Sequence, residues 1–243
     1  MYGWRGKFGF VTPSLSDTVL MEFNEILPEG VLVTTVDLKV QNLLDNEFEK
    51  AVANIEEAVK ILNYEEVQAI IVGGTPPITK LGFDADKEII QNVVKLTGKP
   101  ASTTPTAEVD AMKALGMKKI ALISPYVEDL NSHLSAFLQH CGFEVAITSG
   151  LGIVKNVELT RVPFDTAYMR AKEAYLKIKG SIDGLFLTCP RWPTVRSIEA
   201  LECDLGVPVV TSAQALVWKA LTLLGINKVK PGYGKLFAEF DDS

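Results

Sequence analysis

One cysteine in this sequence stands where a thiol could do chemistry. Cys189 follows the apolar run 184–188 and precedes a predicted helix that begins near Pro193 or Thr194. The free N–H groups and the dipole of a helix N-terminus favour a thiolate or a bound anion. Arg191 adds a positive charge two residues after the thiol. The pattern predicts a catalytic cysteine beside a site for a small anion.

The remaining cysteines and histidines favour structural roles. Cys141 and Cys203 lie at or near the ends of predicted helices, where a free thiol commonly packs as a small hydrophobe. His133 and His140 are interpreted as helix residues at the surface or the edge of the core. No cluster of these residues has the spacing of a zinc site, and no glycine motif has that of a nucleotide-binding loop. We therefore expect no metal and no cofactor.

The composition is typical of a globular protein. The 243 residues are 47% hydrophobic and 22% charged, which suits one large domain or two small ones. A net charge of −6 disfavours nucleic acid or an anionic membrane as a partner. No apolar run approaches the roughly 20 residues of a membrane span, and the start of the chain does not resemble a signal peptide. A cytoplasmic protein with a small-molecule partner is predicted, and the sequence is compatible with a homo-oligomer.

Strands and helices alternate along the chain. Nearly all-apolar strands between helices predict an α/β fold with parallel sheets covered on both faces. The predicted strands are 8–12, 31–36, 69–73, 101–103, 119–124, 144–148, 184–188 and 208–211. The predicted helices include 47–63, 84–96, 106–115, 128–141, 164–179 and 194–205.

The chain also repeats itself weakly. Three segments of its first part resemble three of its second part in the same order: 8–13 with 120–125, 67–74 with 182–189, and 98–107 with 206–215. The repeat predicts two pseudo-twofold-related halves, each a four-stranded parallel sheet flanked by helices. The predicted halves are 1–116 and 117–243, and the end of the second is expected to pack back on the first. Ligands bind at the carboxyl ends of such strands, so the active site is expected in the cleft between the halves.

Turn motifs from both halves would meet in this cleft. They are Thr12-Pro13-Ser14, Gly73-Gly74-Thr75-Pro76-Pro77, Ser124-Pro125-Tyr126 and the loop of residues 188–194. Pro13 and Pro125 are equally well explained as residues that simply turn the chain after a strand.

Together these motifs resemble the aspartate/glutamate racemase superfamily, and within it the branch of arylmalonate decarboxylases and maleate isomerases. The resemblance covers most of the chain. It includes residues 103–107, Asn131, residues 208–212 and the tail Pro231-Gly232-Tyr233-Gly234-Lys235-Leu236-Phe237, which looks especially like arylmalonate decarboxylase.

The resemblance implies a reaction at the α-carbon of a small acid. The racemases of the superfamily place one cysteine on each face of the substrate, whereas the internal repeat sets Gly74 against Cys189. Arylmalonate decarboxylases keep only the second cysteine. This implies a cofactor-independent decarboxylase of a malonate-type acid, in which Cys189 protonates an enediolate. The alternatives are an isomerase similar to maleate isomerase or to the racemases, and a non-catalytic dicarboxylate-binding protein.

The resemblance also implies which residues bind the substrate. They are Pro13, Gly74, Thr75, Tyr126, Pro190 and Arg191, with an apolar pocket drawn from Leu43, Phe48 and Val157. Pro76 and Pro190 depart from the pattern, because the family has hydrogen-bond donors there and proline has no N–H. Arg191 would replace these donors, which implies a more polar dicarboxylate than an arylmalonate.

Overall fold

Two parallel sheets form the framework. The computed structural model describes residues 2–15, 17–178 and 181–238. The strands are β1 Gly6–Thr12, β2 Val31–Asp37, β3 Ala69–Val72, β4 Ala101–Thr103, β5 Lys119–Ser124, β6 Glu144–Gly150, β7 Gly184–Leu187 and β8 Val209–Thr211. One sheet has the order β2-β1-β3-β4 and the other the order β6-β5-β7-β8, and every pair is parallel. The predicted fold class is confirmed.

Helices cover both sheets. They are α1 Thr18–Ile26, α2 Asp45–Ala53, α3 Ile55–Tyr64, α4 Thr75–Thr79, α5 Ala85–Thr97, α6 Thr104–Ala114, α7 Glu128–His140, α8 Asn156–Leu159, α9 Phe164–Lys177, α10 Ile198–Leu205, α11 Ser212–Leu224 and α12 Lys235–Ala238. A 3₁₀ turn, Val195–Ser197, precedes α10. Among the described residues, no helix combines the length and the apolar character that a membrane span needs.

Two predicted helices differ from the structure. The single helix predicted over 47–63 is two helices, because the backbone leaves helical geometry at Asn54 (φ −98°, ψ 0°). The helix predicted from Thr194 starts instead with the 3₁₀ turn, and regular α-helix begins only at Ile198. Lys179, the last residue of the helix predicted over 164–179, lies outside the described residues.

The sequence repeat corresponds to matching local structure. Thr103 and Thr211 both precede a helix, and their side chains accept hydrogen bonds from the N–H groups of Thr106 and Gln214. Such N-caps satisfy N–H groups that have no partner inside the helix. The two helices that start here, α6 and α11, pack against each other, and α1 packs against α11. This contact holds the first turns of α6 and α11 beneath the cleft.

The segment after α11 returns to the first sheet's side. Lys230 Nζ donates to the carbonyl oxygens of Asn24 and Glu25 over 3.0 and 2.9 Å. The Tyr233 hydroxyl donates to the carbonyl of Glu25 over 3.1 Å. The division of the chain into residues 1–116 and 117–243 stays a prediction.

Candidate active site

A small cavity lies where the loops after β1, β3, β5 and β7 meet. Its volume is about 50 Å³. The predicted site residues that line it are Pro13, Leu43, Phe48, Gly74, Thr75, Tyr126, Cys189, Pro190 and Arg191. Thr12, Ser14, Leu15, Val19, Val40, Pro76, Pro77, Asn156 and Leu159 complete the wall. The cavity is thus largely apolar, with a thiol and a few hydroxyl groups.

Val157 does not belong to this cavity. Its side chain is 48% exposed and faces an outer groove. Asn156 and Leu159, which flank it in the short helix α8, face the cavity instead. Successive side chains of a helical turn point in different directions, so Val157, which the resemblance implied for the pocket, lies on the outer face of α8.

Cys189 is held in an unusual backbone conformation. Its φ of 83° lies in the left-handed region, which is rare for a residue other than glycine. Its N–H donates to the Ser212 hydroxyl over 2.8 Å. Trp192 Nε1 donates to the Thr188 carbonyl over 2.7 Å and so braces the loop from the other side. The surrounding structure therefore sets the direction of the thiol.

The environment of Cys189 favours the protonated thiol. The side chain is 4% exposed, and burial raises its pKa above the ordinary value. Hydrogen bonds from the Tyr126 hydroxyl and the Arg191 N–H act in the opposite direction but do not outweigh burial. Burial likewise raises the pKa of Tyr126, so its hydroxyl stays a donor. The site thus holds an acid where the sequence predicted a thiolate.

The predicted influence of a helix N-terminus on Cys189 is wrong. Buried Glu22 of α1 accepts the N–H groups of Thr194 and Val195 over 2.8 and 2.9 Å. It also accepts the Thr194 hydroxyl over 3.2 Å. These donors at the start of the helical segment are therefore bound to protein, and they are not available to the thiol.

Gly74 is the counterpart of Cys189. It also has a positive φ, 107°, and its N–H donates to the Thr104 hydroxyl over 3.2 Å. A Cβ atom here would lie 2.7 Å from Pro77 Cγ and 2.8 Å from Pro13 Cγ. Those distances are shorter than van der Waals contact. Glycine is therefore favoured here both by the positive φ and by the lack of space for a Cβ atom.

Arg191 has protein partners. Its Nε and Nη2 donate to the two carboxylate oxygens of Asp17 over 3.3 and 3.2 Å. Its Nη1 donates to the Ser14 hydroxyl over 2.8 Å. Only 11% of the Arg191 side chain is exposed. The guanidinium expected to replace the donors missing at Pro76 and Pro190 is thus paired with Asp17, and it orients the Ser14 hydroxyl.

A buried acid beneath the cavity was missed from the sequence. Glu108 of α6 is 1% exposed, and burial, opposed by hydroxyl hydrogen bonds, raises its pKa to about 8. It contacts the hydroxyls of Thr75, Thr188 and Ser212. The repeat held a signal for it, since Glu108 and Leu216 both lie five residues after the matching N-caps Thr103 and Thr211. A glutamate at a position that is apolar in the other half indicates a function beyond packing.

Comparison with known proteins places the chain in a family. The sequence model described as arylmalonate decarboxylase matches residues 8–237. The chain belongs to the arylmalonate decarboxylase family. The family predicted from the sequence is thereby confirmed, and the match runs from within β1 through β8.

Individual members of this family and its maleate isomerase branch resemble the whole chain. Arylmalonate decarboxylase of Bordetella bronchiseptica is 27% identical over 232 residues, 95% of this chain and 96% of that protein. Maleate isomerase of Geobacillus stearothermophilus is 26% identical over 256 residues, 96% of this chain and 97% of that one. A crystal structure of arylmalonate decarboxylase, 26% identical, superposes with a TM-score of 0.85 over 96% of this chain and 99% of its own.

Proposed function

We propose that this protein is a cofactor-independent decarboxylase of a small malonate-type dicarboxylic acid. One observation carries the proposal: the cavity contains a single thiol, Cys189, held protonated by burial, and its counterpart is a glycine. A single proton donor on one face of a substrate suits a reaction that adds one proton to a carbanion. Membership of the arylmalonate decarboxylase family supports the same reaction.

The apolar wall favours loss of carbon dioxide. Leu43, Phe48 and Leu159 line the cavity, and in this proposal they contact one carboxylate of the substrate. A carboxylate is poorly solvated by such side chains, whereas neutral carbon dioxide is not affected. When the C–C bond breaks, its electron pair passes to the α-carbon and is delocalised over the remaining carboxylate as an enediolate.

Hydroxyl groups that also line the cavity would stabilise the enediolate. Thr75 and Ser14 line the cavity and are 2% and 5% exposed. Because Arg191 donates to Ser14 Oγ, the proton of that hydroxyl is free to point elsewhere. Each donor aimed at a developing oxyanion is worth about 3 kcal/mol in mutational precedent. Ser14 thus offers a donor in a site that has prolines at positions 76 and 190.

Protonation completes the reaction. The Cys189 S–H bond breaks, a C–H bond forms with the enediolate electron pair, and the monocarboxylate product and a thiolate remain. The Tyr126 hydroxyl and the Arg191 N–H donate to the sulfur and stabilise this thiolate. One proton from water then restores the thiol. The net reaction consumes one proton for each carbon dioxide released.

The cavity size favours a small substituent on the malonate. About 50 Å³ is available, whereas a protein cavity that binds benzene measures about 150 Å³. An aryl group would require the loops to move apart. A hydrogen, a methyl group or a short polar group would need the least additional space and is therefore favoured as the substituent.

The experiment is a substrate series measured in D₂O. Malonate, methylmalonate, hydroxymalonate and phenylmalonate are each incubated with the protein, and carbon dioxide and product deuteration are followed. Carbon dioxide release with one deuterium at the α-carbon, faster for the small acids, is the expected result. Isomerisation of maleate without decarboxylation of any malonate would overturn the proposal, and so would saturable binding of every acid without turnover.

A further inference from the structure

A chain of hydrogen bonds joins the catalytic loop to Thr75 through a buried acid. Cys189 N–H donates to Ser212 Oγ over 2.8 Å. Ser212 Oγ in turn makes a short hydrogen bond to Glu108 Oε1. Glu108 Oε2 lies 3.0 Å from Thr75 Oγ1, at the wall of the cavity. The chain thus runs from one half of the fold to the other through Glu108.

Each hydroxyl has only one proton, so the direction of this chain can be worked out. Ser212 Oγ accepts from Cys189, and its own proton goes to Glu108 Oε1. An ionised Glu108 could only accept, and Thr75 would then have to give its proton to Glu108. A neutral Glu108 can donate from Oε2 to Thr75 Oγ1, which leaves the Thr75 proton for the substrate.

We propose that Glu108 is a positioning residue that acts as a neutral hydrogen-bond donor to Thr75 and thereby turns the Thr75 hydroxyl toward the substrate's enediolate. This proposal rests on the decarboxylase function proposed above. Glu108 itself lies beneath the cavity wall and touches the substrate only through Thr75.

The surroundings of Glu108 favour the neutral acid. Its hydrogen-bond partners are neutral hydroxyl groups, with no cation among those described, and burial outweighs their effect and raises the pKa of Glu108 to about 8. Across the cavity lie Cys189 and Tyr126, which burial also keeps protonated. On the packed helices, Lys219 of α11 is bound to Asp110 over 2.6 Å, and Asp86 of α5 accepts from Thr106 over 2.6 Å. Lys219 thus has an ionic partner, and one carboxylate oxygen of Asp86 is bound by a hydroxyl while Oδ1 has no hydrogen-bond partner among the described residues.

The test compares pH profiles of kcat/KM for wild type, Glu108→Gln and Glu108→Leu. Wild-type activity is expected to fall above pH about 8, about tenfold per pH unit, as Glu108 ionises. In Glu108→Gln an amide N–H donates to Thr75 in place of the carboxyl O–H. Because the amide does not ionise, the fall in kcat/KM above pH about 8, the descending limb of the profile, should disappear. Glu108→Leu removes the donor and should lower kcat about 10²-fold. A limb near pH 8 that persists in Glu108→Gln would overturn the proposal.

Glu22→Gln is the matched control, because Glu22 is also a buried acid with a raised pKa but binds N–H groups away from the cavity wall. It should leave the limb near pH 8 in place. If Glu22→Gln removes that limb as Glu108→Gln does, the proposal is wrong. Thermal melts of all variants establish that each is folded under the assay conditions.

Two further measurements test the role of Glu108 independently of whether the protein is a decarboxylase. Malonate affinity, measured calorimetrically, should weaken above pH 8 in wild type but not in Glu108→Gln, whether or not malonate is turned over. The infrared C=O band of a protonated carboxyl should be present at pH 6, disappear around pH 8, and be absent in Glu108→Gln. Lack of turnover together with these results would reject only the decarboxylase function. Lack of the band at pH 6 would reject the role of Glu108.

Discussion

Gly74 and Cys189 occupy equivalent positions in the two halves of the fold. Both have a positive φ, and the N–H of each donates to a hydroxyl on the first residue of a helix, Thr104 in α6 or Ser212 in α11. Of these two equivalent positions, one carries a thiol and the other has no side chain. A proton can be delivered by a side chain at these positions from one face only.

Replacement of Cys189 by serine should abolish turnover and preserve the fold. An alcohol is a much weaker acid than a thiol, so protonation of the enediolate should slow by at least about 10²-fold. Carbon dioxide release by the variant, with malonate binding as the test of an intact cavity, measures this. Cys141→Ser and Cys203→Ser are the controls and should keep full activity, since neither thiol lines the cavity. Full activity in Cys189→Ser would contradict the assigned role.

Alkylation should modify Cys203 before Cys189. Thiolates react with iodoacetamide, and Cys189 is buried with a raised pKa whereas Cys203 is exposed. Peptide mass spectrometry after timed labelling follows each thiol separately. Malonate should slow the labelling of Cys189 and leave that of Cys203 unchanged. Faster labelling of Cys189 than of Cys203 would show that the thiol is exposed and ionised.

A side chain at Gly74 should be costly but informative. Gly74→Ala should lower the free energy of unfolding by about 1–3 kcal/mol more than Gly98→Ala, because overpacking is added to the cost of a positive φ. Gly98 also has a positive φ, but a Cβ atom there has open space. Urea denaturation provides the comparison. Equal losses in both variants would mean that the loops of Pro13 and Pro77 yield freely.

Gly74→Cys should add a second proton donor on the opposite face. If the variant folds, it should exchange the α-hydrogen of a chiral 2-substituted acid for deuterium and lose its optical rotation. The wild type should do this far more slowly, because it has one thiol for the two faces. Intact folding without any gain in exchange would indicate that position 74 does not face the α-carbon.

Arg191→Lys should raise KM, because it disturbs the orientation of Ser14 at the cavity. Lysine cannot reproduce the bidentate pair with Asp17 together with the bond to Ser14, so the Ser14 hydroxyl loses its orientation. KM is expected to rise about tenfold, which corresponds to about 1.4 kcal/mol of binding energy. Arg196→Lys is the matched control, because Arg196 joins the same two segments through Glu25 but does not line the cavity. Equal KM values for the two variants would show that the orientation of Ser14 by Arg191 does not contribute to substrate binding.

Glu108 should also make stability depend on pH. Its folded-state pKa of about 8 lies above the ordinary 4.5, so unfolding releases a proton between these values. The free energy of unfolding should therefore fall as pH rises through this window, by about 1.4 kcal/mol per pH unit from Glu108 alone. Urea denaturation of wild type and Glu108→Gln from pH 5 to 8 measures the difference in slope. Parallel stability curves would mean that Glu108 is ionised in the folded protein.

The sequence by itself determined the fold class and the repeat, and it singled out Cys189 as the candidate catalytic thiol. Parallel strands that are buried on both faces need near-continuous apolar residues, and this requirement is visible in runs such as residues 119–124. Turns after such strands lie at the carboxyl ends of their sheets, and the repeat, which relates the two sheets, predicted that Gly74 and Cys189 lie in the cleft between them. These are local or topological constraints, and a linear sequence records them directly.

Only the tertiary structure decided the protonation states and the charged partners of the site residues. The pKa of Cys189 depends on how much water reaches it, and the expected helix N-terminus is instead bound to Glu22, which lies far away in the sequence. The sequence predicted Arg191 as a substrate-binding cation but not its ion pair with Asp17 of the other half. Burial, ion pairing and the direction of a hydroxyl proton arise from contacts between distant segments. For that reason the role proposed for Glu108 appears only once the two halves are packed together.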